Sequence, residues 1–403
     1  AIEFAQRLIL HGTRPGRPIP LQPFRLRGGG EGRPSKFQFI IRHEGKQYDY
    51  GFVLDRERIH EEWLFVTEMA KGAKEQRCFE RSTSAELTTS LSFGNALTGR
   101  SARTKQRLEF IAEGTRPNQL FLTEAAERNV AELAPLRVWF EKVLLVLSPD
   151  VENADLAFSV YSNREFHGFL RRFLSAAGTG ICDAFAEAVP FDAAPPFGHM
   201  SEDQRQSLRA EIAELADGRF GVVSDPEGKR VIVSRSADGL PQVLSVRLTH
   251  ECTDGSPAFF TMEEESDGTQ RLIHLLPALS LLRGESPRVL LLDELDRRLH
   301  TLLSRLLVEA ALDGNAQSQL IFTTHDTNLL DADLLRRDEI WFVEKDPHGA
   351  SHLYSLAEFK VRPDLKLEKG YLNGRFGAIP FIGDLAQLGW SEPSEPAGLV
   401  EAG

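Results

Sequence analysis

The sequence predicts an α/β protein with a mainly parallel sheet, an antiparallel β subdomain and a helical insertion. Short runs of alternating apolar and polar residues within positions 36–66 are typical of an antiparallel meander. Residues 121–218 carry apolar side chains at spacings of three and four, which indicates helices. From about residue 269, helices alternate with fully apolar strands, as in a buried parallel sheet. We therefore expect three segments, namely 1–120, 121–218 and 219–403.

The composition is that of an ordinary globular protein. Its 403 residues are 41% hydrophobic, and no apolar run approaches the roughly 18–20 residues that would span a bilayer. The opening stretch AIEFAQRLIL lacks the charged start and long apolar centre of a secretory signal. We therefore expect a cytoplasmic protein with no membrane partner. The three cysteines form no CxxC pair, so neither a disulfide framework nor a zinc cluster is predicted.

The charge balance bears on nucleic-acid binding. A net charge of −12 argues against binding driven by overall charge. The run GRSARTKQR, residues 99–107, is locally basic. Nucleic acid therefore stays open as a partner, although such a run is more often a solvated loop.

The first segment begins with a helix over residues 1–13, followed by a loop rich in Gly, Pro and Arg. Three strands then follow in FQFIIRH, QYDYGFVLD and IHEEWLFVTE, with a turn at Glu44-Gly45-Lys46 between the first two. Residues 67–120 are polar and irregular, and their pattern predicts no element. This segment is the antiparallel β subdomain.

The middle segment contains three stretches with helical spacing: AAERNVAELAPLRVWFEKVLLVL, NREFHGFLRRFLSAAGTGICDAFAEAV and SEDQRQSLRAEIAELADG. Because it interrupts two strand-rich regions, we expect it to project from the protein rather than to complete a sheet.

The last segment starts with the strand-like runs RFGVVSD, KRVIVSRS and QVLSVRLTH. A helix at about 269–283, a strand at 288–292 and a helix at about 299–313 come next. The apolar runs QLIFTTH and EIWFVEK complete the alternation, and we expect both to be strands of the parallel sheet.

Two adjacent carboxylates follow the apolar strand that ends at Leu292. Carboxyl ends of parallel strands face the ligand crevice, so Asp293 and Glu294 are expected where a ligand binds. A magnesium ion that bridges phosphate oxygens would neutralise one carboxylate and leave the other to act on water. The alternative is a strand that ends at the surface with two solvated acids.

Two further features accompany this acidic strand end. The run QLIFTTHD ends in two threonines and His325, and a histidine at the end of a neighbouring strand can reach a terminal phosphate. Ser266, Gly268 and Thr269 directly precede or open a helix, where free N–H groups and hydroxyls bind anions. Taken singly, His325 would be a surface histidine and Ser266 an ordinary N-cap. Their order and spacing within about 60 residues make the set more specific.

With these motifs the chain resembles the ATP-binding-cassette ATPase heads, which include SMC-type and overcoming-lysogenisation-defect proteins. It is most similar to a bacterial subgroup of AAA-type ATP/GTP phosphatases and abortive-infection ATPases, through ESDGT, DELDRRLHTLLSRLL, IFTTHDTNLL, RRDEIWFVEKD and YLNGRFGAIP. The resemblance implies ATP and Mg²⁺ as cofactors. It assigns a signature motif to Ser266–Gln270, magnesium coordination to Asp293, the general base to Glu294, the D-loop to Leu299 and His300, and the switch histidine to His325.

The sequence departs from the family pattern in three places. The signature reads Ser-Asp-Gly-Thr rather than Ser-Gly-Gly-Gln, and His300 stands where many cassettes have an aspartate. No segment matches the phosphate loop G-x-x-x-x-G-K-[ST]. The nearest is GNALTGRS, Gly94 to Ser101, which has Arg100 in place of lysine and no buried strand before it. Because the family's loop is followed by a helix like AIEFAQRLIL, we expect the loop to lie upstream of Ala1.

These features leave several functions open. The first is an ATPase whose heads form a homodimer around nucleotide and which, as a sensor subunit of an anti-phage defence or toxin–antitoxin-like system, controls a separate nuclease or toxin. The alternatives are a catalytically silent scaffold and a DNA repair or maintenance ATPase of the SMC type. A nuclease within the chain itself is disfavoured, because the acids after His325 are scattered.

Overall fold

The computed structural model describes ten ranges of the chain: residues 1–26, 33–99, 101–149, 156–193, 200–215, 219–224, 230–236, 238–314, 316–360 and 366–379. Of the features discussed above, Arg100, residues 216–218, residues 225–229 and Pro380 lie outside these ranges. The chain divides into two compact units, Ala1–Asp326 and Thr327–Gly403. This boundary does not coincide with those predicted at 120/121 and 218/219.

The first unit mixes helices and strands. Its described helices are α1 (Ile2–His11), α2 (Asn95–Thr98), α3 (Ala102–Gly114), α4 (Phe121–Glu127), α5 (Ala134–Val138), α6 (Leu156–Ser162), α7 (Arg164–Ala176), α8 (Glu202–Ala213), α9 (Asp267–Leu282) and α10 (Thr301–Leu312). Its described strands are β1 (Ser35–His43), β2 (Lys46–Leu54), β3 (Ile59–Glu68), β4 (Gln76–Thr83), β5 (Thr89–Phe93), β6 (Leu144–Leu147), β7 (Ile181–Pro190), β8 (Phe220–Ser224), β9 (Arg230–Arg235), β10 (Pro241–Glu251), β11 (Pro257–Thr261), β12 (Val289–Leu292) and β13 (Gln319–Phe322).

Strands β1 to β5 form an antiparallel meander in sequence order. The turn between β1 and β2 uses Glu44 and Gly45, both with positive φ, as a tight hairpin requires. The predicted antiparallel subdomain is thereby confirmed. The segment GNALTGRS follows β5, and Gly94 lies so close to the carbonyl of Arg77 that a Cβ would be 1.9 Å from its oxygen.

A second antiparallel sheet is built around the long strand β10. Strands β7, β9 and β11 all pair with β10, and β8 pairs with β9. The predicted strands after residue 218 lie in this sheet.

A smaller sheet contains the parallel strands that the sequence predicts. In this sheet β12 pairs with β13, in a register that runs from Val289↔Gln319 to Leu292↔Phe322. Strand β6 pairs with the other side of β12. An α/β fold with a parallel sheet, antiparallel sheets and helices is therefore confirmed. Among the described residues the parallel sheet has three strands, and the antiparallel sheets together have more.

The expectation that 121–218 is helical and projects from the sheet is wrong for two parts of it. Leu144–Leu147 is the strand β6 and completes the parallel sheet, and Ile181–Pro190 is the strand β7. The helix α4 and Phe140 are buried in the core of the meander, where Phe140 packs edge-on against Phe39 at 5.1 Å. These contacts bury apolar side chains that a projecting lobe would leave in water.

Helix α1 is held against the start of β6. The Gln6 side chain donates hydrogen bonds to the carbonyl oxygens of Phe140 at 2.7 Å and Leu144 at 2.9 Å. Its apolar side, Ala5, Leu8 and Ile9, is buried. The predicted opening helix thus packs onto the segment that leads into the parallel sheet.

A buried ion pair lies beneath the meander. Glu62 and Arg81, whose side chains are both 0% exposed, face each other at 3.5 Å. Glu62 also accepts hydrogen bonds from the Tyr50 hydroxyl and from the N–H groups of Phe121 and Leu122, which open α4. Burial raises the pKa of Glu62, and the Arg81 charge and the two N–H groups oppose that rise. The pair joins β3 and β4 to α4.

The second unit has its own small core. Strands β14 (Trp341–Lys345) and β15 (Ser351–Ser355) form an antiparallel hairpin, and α11 (Leu367–Leu372) follows. The core contains Ile340, Phe342, Leu356, Leu367 and Phe376. The expectation that EIWFVEK joins the parallel sheet is therefore wrong, because Trp341–Lys345 takes its hydrogen bonds from β15. Among the described helices of the chain, none is both long and apolar enough to cross a membrane.

Candidate active site

The predicted acidic residues follow β12, the central strand of the parallel sheet. Backbone pairing continues just past the strands, because the N–H of Asp293 donates to Leu147 O at 3.1 Å and that of Leu295 donates to Thr323 O at 2.9 Å. Asp293 is exposed, and the Glu294 side chain is 44% exposed. Both carboxylates can therefore meet a ligand from solvent, as expected for this edge of a parallel sheet.

Thr323, the first residue after β13, links the two acidic residues. Its hydroxyl donates to Asp293 Oδ1 at 2.6 Å and accepts from the backbone N–H of Glu294 at 2.8 Å. Glu294 has a left-handed backbone with φ of 49°, which is uncommon for a residue with a side chain. The Thr323 hydrogen bond helps to hold this conformation, which directs the chain away from the strand.

Asp296 plays the corresponding part for the end of β13. Its Oδ1 accepts from the Thr324 hydroxyl at 2.7 Å and from the backbone N–H of His325 at 3.2 Å. His325 itself is exposed. The segment after β12 thus anchors the backbone of His325 and leaves its ring accessible to solvent.

Arg297 forms an ion pair with the Glu294 carboxylate. Its guanidinium is 3.5 Å from Glu294 Oε2, and both side chains are partly exposed. An exposed pair of this kind is weak, so it can open without a large energetic cost.

Ser266 is the N-cap of α9. Its hydroxyl oxygen accepts from the N–H of Thr269 at 3.2 Å and lies 2.9 Å from the Thr269 hydroxyl. Gly268, in the first turn, lies against the carbonyl of Arg298, since a Cβ on Gly268 would be 2.8 Å from that oxygen. The predicted signature segment and the loop after the acidic strand are therefore in direct contact within one chain.

His300 is the N-cap of α10. Its Nδ1 accepts from the N–H of Leu302 at 3.2 Å. The nitrogen that caps the helix is engaged within the chain, which leaves Nε2 as the atom for outward contacts.

The structure thus brings the predicted residues together in two groups. Asp293, Glu294 and His325 share one sheet edge through Thr323 and Asp296. Ser266, Gly268 and Thr269 lie at the start of α9, next to the loop that leads to His300. The sequence pattern predicts no role for Asp296 or Arg297, and it identifies Thr323 only as a threonine at a strand end.

The donor set at the sheet edge fits magnesium better than a metal held by protein alone. Among the described residues, no group of three or more His, Cys, Asp or Glu side chains could hold a metal ion. Magnesium in phosphate-transfer sites is held by one or two carboxylates, with waters and substrate phosphates completing its shell. Asp293 can supply such a carboxylate.

Fold and site define an α/β protein in which Asp293, Glu294 and His325 lie just past the carboxyl ends of neighbouring parallel strands. The family described as "AAA domain, putative AbiEii toxin, Type IV TA system" matches residues 1–331, and the chain belongs to it. The protein is therefore an AAA-family ATPase domain.

The chain was also compared with solved structures and with curated proteins. A solved structure described as "Crystal structure of the SmcHead bound to the C-winged helix domain of ScpA" is similar, with 11% sequence identity and a TM-score of 0.31 over 78% of this chain and 77% of that chain. No curated protein matches the chain.

Proposed function

We propose that the protein hydrolyses ATP at the carboxyl edge of the parallel sheet, with Glu294 as the general base. One observation in this chain of the AAA family supports the proposal. The Thr323 hydroxyl forms hydrogen bonds with Asp293 and with the backbone of Glu294. Asp293 would hold a magnesium ion, which would neutralise phosphate charge when bound. Glu294 accepts a proton from the attacking water, and His325 contacts the terminal phosphate.

Replacing Glu294 with Gln tests this role. An amide cannot take a proton from water, so turnover should fall by at least about 100-fold, within the usual contribution of general-base catalysis. ATP binding should be retained. Phosphate release and nucleotide binding are to be measured side by side on the natural full-length protein.

Glu309→Gln is the matched control. Glu309 is also a partly exposed glutamate on the first unit, paired with Arg305 at 2.8 Å, but it lies on α10. Its variant should hydrolyse ATP at the normal rate. Near-normal turnover in Glu294→Gln would exclude Glu294 as the base, whereas a wild-type protein without turnover would favour a silent scaffold.

We also propose that two copies associate when ATP is bound. Ser266, Gly268 and Thr269 offer hydroxyl and N–H groups at a helix start, and such groups bind phosphate. Asp293 and Glu294 of one chain make its own nucleotide site negative, so donors from a second chain would complete it. A two-fold arrangement would use the α9 start of each chain on the nucleotide of the other.

Light scattering can test this association. The Glu294→Gln protein should double in mass when ATP and magnesium are added, because it binds ATP without consuming it. Adding Ser266→Arg should prevent the doubling, since the larger side chain blocks the helix start. Ser201→Arg, at the serine N-cap of α8, is the control and should leave it intact. A mass that does not respond to ATP would refute the two-fold arrangement.

The biological role proposed is regulation of a separate effector, a nuclease or toxin, in an anti-phage defence or toxin–antitoxin-like system in the cytoplasm. The family's description, which names a toxin of a toxin–antitoxin system, supports this setting. The acidic residues at the sheet edge support an ATPase rather than a scaffold, because a scaffold has no use for a base beside a magnesium ligand.

A further inference from the structure

Glu265, the residue just before the N-cap of α9, is fixed by its backbone. Its N–H donates to Met262 O at 3.2 Å, and its carbonyl accepts from the Gln270 side chain at 2.9 Å. Gln270 lies one turn into α9, and its own N–H donates to Ser266 O. The position of Glu265 therefore determines where the helix begins.

The Glu265 side chain is fixed by His250. His250 Nε2 lies 2.7 Å from Glu265 Oε1, and the carboxylate is only 9% exposed. Because an ionised carboxylate can only accept, the imidazole N–H is the donor. Hydrogen bonds to charged groups are stronger than neutral ones, and a partly buried one is less weakened by water.

The His250 ring is in turn held by the second antiparallel sheet. His250 lies on β10, where the pairing with β7 shifts register between Thr249 and His250. Phe260 of β11 packs edge-on against the ring at 4.7 Å. Gly180, just before β7, faces the other nitrogen, and a Cβ at Gly180 would be 3.4 Å from Nδ1. Strands β10 and β11 and the residue before β7 therefore determine the position of the imidazole.

We propose that His250 is a positioning residue for the start of α9, and that through Glu265 it sets the placement of Ser266, Gly268 and Thr269 toward the nucleotide of a second chain. This inference rests on the proposed function. It also assigns a role to the second antiparallel sheet, because a displacement of β10 would move the start of α9 through the hydrogen bond between His250 and Glu265.

The test compares His250→Ala with His250→Gln and with a control. His250→Ala removes the donor to Glu265, whereas a glutamine can still donate from its amide. His167→Ala is the control, because His167 makes a similar contact with Asp183 at 2.9 Å but lies on α7 and does not contact Glu265. All three are made in the natural full-length protein, with and without Glu294→Gln.

We expect His250→Ala to weaken ATP-driven association by about tenfold, as for the loss of a hydrogen bond to a charged group. Turnover at saturating ATP should fall with it, while ATP binding by the single chain is unchanged. His250→Gln should recover most of both, and His167→Ala should behave as wild type. Equal loss in His250→Gln and His250→Ala, or none in His250→Ala, would overturn the proposal.

Hydrogen exchange supplies a readout that does not depend on ATP. The amides of Thr269 and Gln270 should exchange faster in His250→Ala than in wild type, while the later turns of α9 keep their protection. Unchanged exchange at these amides would overturn the proposal even if activity fell. A wild-type protein without ATP turnover or ATP-driven association would refute the proposed function, and the exchange measurement would still decide whether His250 positions α9.

Discussion

Thr323 contacts both candidate acidic residues through one hydroxyl group, at the carboxylate of Asp293 and at the backbone N–H of Glu294. A hydroxyl has a single hydrogen, and in this site it is donated to Asp293, while the oxygen accepts the N–H of Glu294. The direction of these bonds is therefore fixed: the Asp293 carboxyl oxygen is the acceptor, and the backbone N–H of Glu294, which has a left-handed conformation, is the donor. Residues that orient the groups around a metal commonly matter almost as much as the ligands.

Replacing Thr323 with Val removes the hydroxyl and keeps the shape. Turnover should fall by about 10-fold to 100-fold, the range seen when groups that orient metal ligands are lost. Thr89→Val is the control, because the Thr89 hydroxyl contacts Thr83 within the meander. Phosphate release at saturating ATP and magnesium measures the effect. If both variants hydrolysed ATP equally fast, Thr323 would have no part in arranging the site.

The sequence allowed Asp293, Glu294 and His325 to be singled out because each follows an apolar run. It could not assign Thr323, Asp296 or Arg297, because the partner of a hydroxyl or carboxylate depends on the register of β12 against β13. That register is a tertiary property, and a slip of one residue would turn Thr323 to the other face.

Helix α9 begins where two loops of the first unit meet. The contact between Gly268 and the carbonyl of Arg298 leaves no room for a Cβ, which would be 2.8 Å from that oxygen. The oxygen belongs to the backbone, so it cannot rotate away as a side chain would. Glycine at 268 is therefore required by a close approach rather than by its backbone angle.

Gly268→Ala should displace either the α9 start or the loop after β12. We expect it to lower the free energy of unfolding by about 1–3 kcal/mol, as overpacking does, and to abolish ATP-driven association. Gly168→Ala in the middle of α7 is the opposite case, because its Cβ would meet only the flexible end of Arg172 at 3.4 Å. That variant should gain about 0.5–1 kcal/mol, since alanine favours helix. Chemical denaturation measures both, and a stable, associating Gly268→Ala protein would contradict this account.

At the level of elements, regular amphipathic patterns were predictable and short strands were not. Helices α1 and α10 and strands β1 to β3 match the sequence pattern, because each has a buried side. Helix α9 also matches the prediction, although it is buried on most of its surface. The strand β6 has only four residues and directly follows a helical stretch, so LLVL continued the helical spacing in sequence. Only its pairing with β12 makes it a strand.

The first unit depends on a buried charge pair that spans three elements. Arg81 also donates hydrogen bonds to the carbonyl oxygens of Arg116 and Pro117. One guanidinium therefore neutralises Glu62 and provides hydrogen-bond donors for carbonyl oxygens of the loop before α4. Burial lowers the pKa of Arg81 and raises that of Glu62, which means that each would be costly without its partner.

The losses caused by the two single substitutions should therefore not add up in the double variant. Arg81→Met or Glu62→Met should each lower the free energy of unfolding of the first unit by about 3–5 kcal/mol, because the remaining charge is buried alone. The double variant should lose clearly less than the sum of the two. Lys46→Met, which breaks an exposed pair with Glu68, should cost below about 1 kcal/mol. Urea unfolding measures all four, and strictly additive losses would refute the coupling.

Strand β6 pairs with β12, and its start contacts helix α1. This arrangement has a consequence for synthesis on the ribosome. The meander joins strands that are neighbours in sequence, so it can form early, as local contacts do. The parallel sheet cannot be completed until β12 and β13 have been made, long after β6. At a synthesis rate of about 5–20 residues per second, the interval between the synthesis of β6 and that of its partner strand is on the order of ten seconds or more. During that interval the backbone groups of Leu144–Leu147 lack the strand with which they pair in the folded protein, and unpaired segments of this kind are prone to associate with other chains.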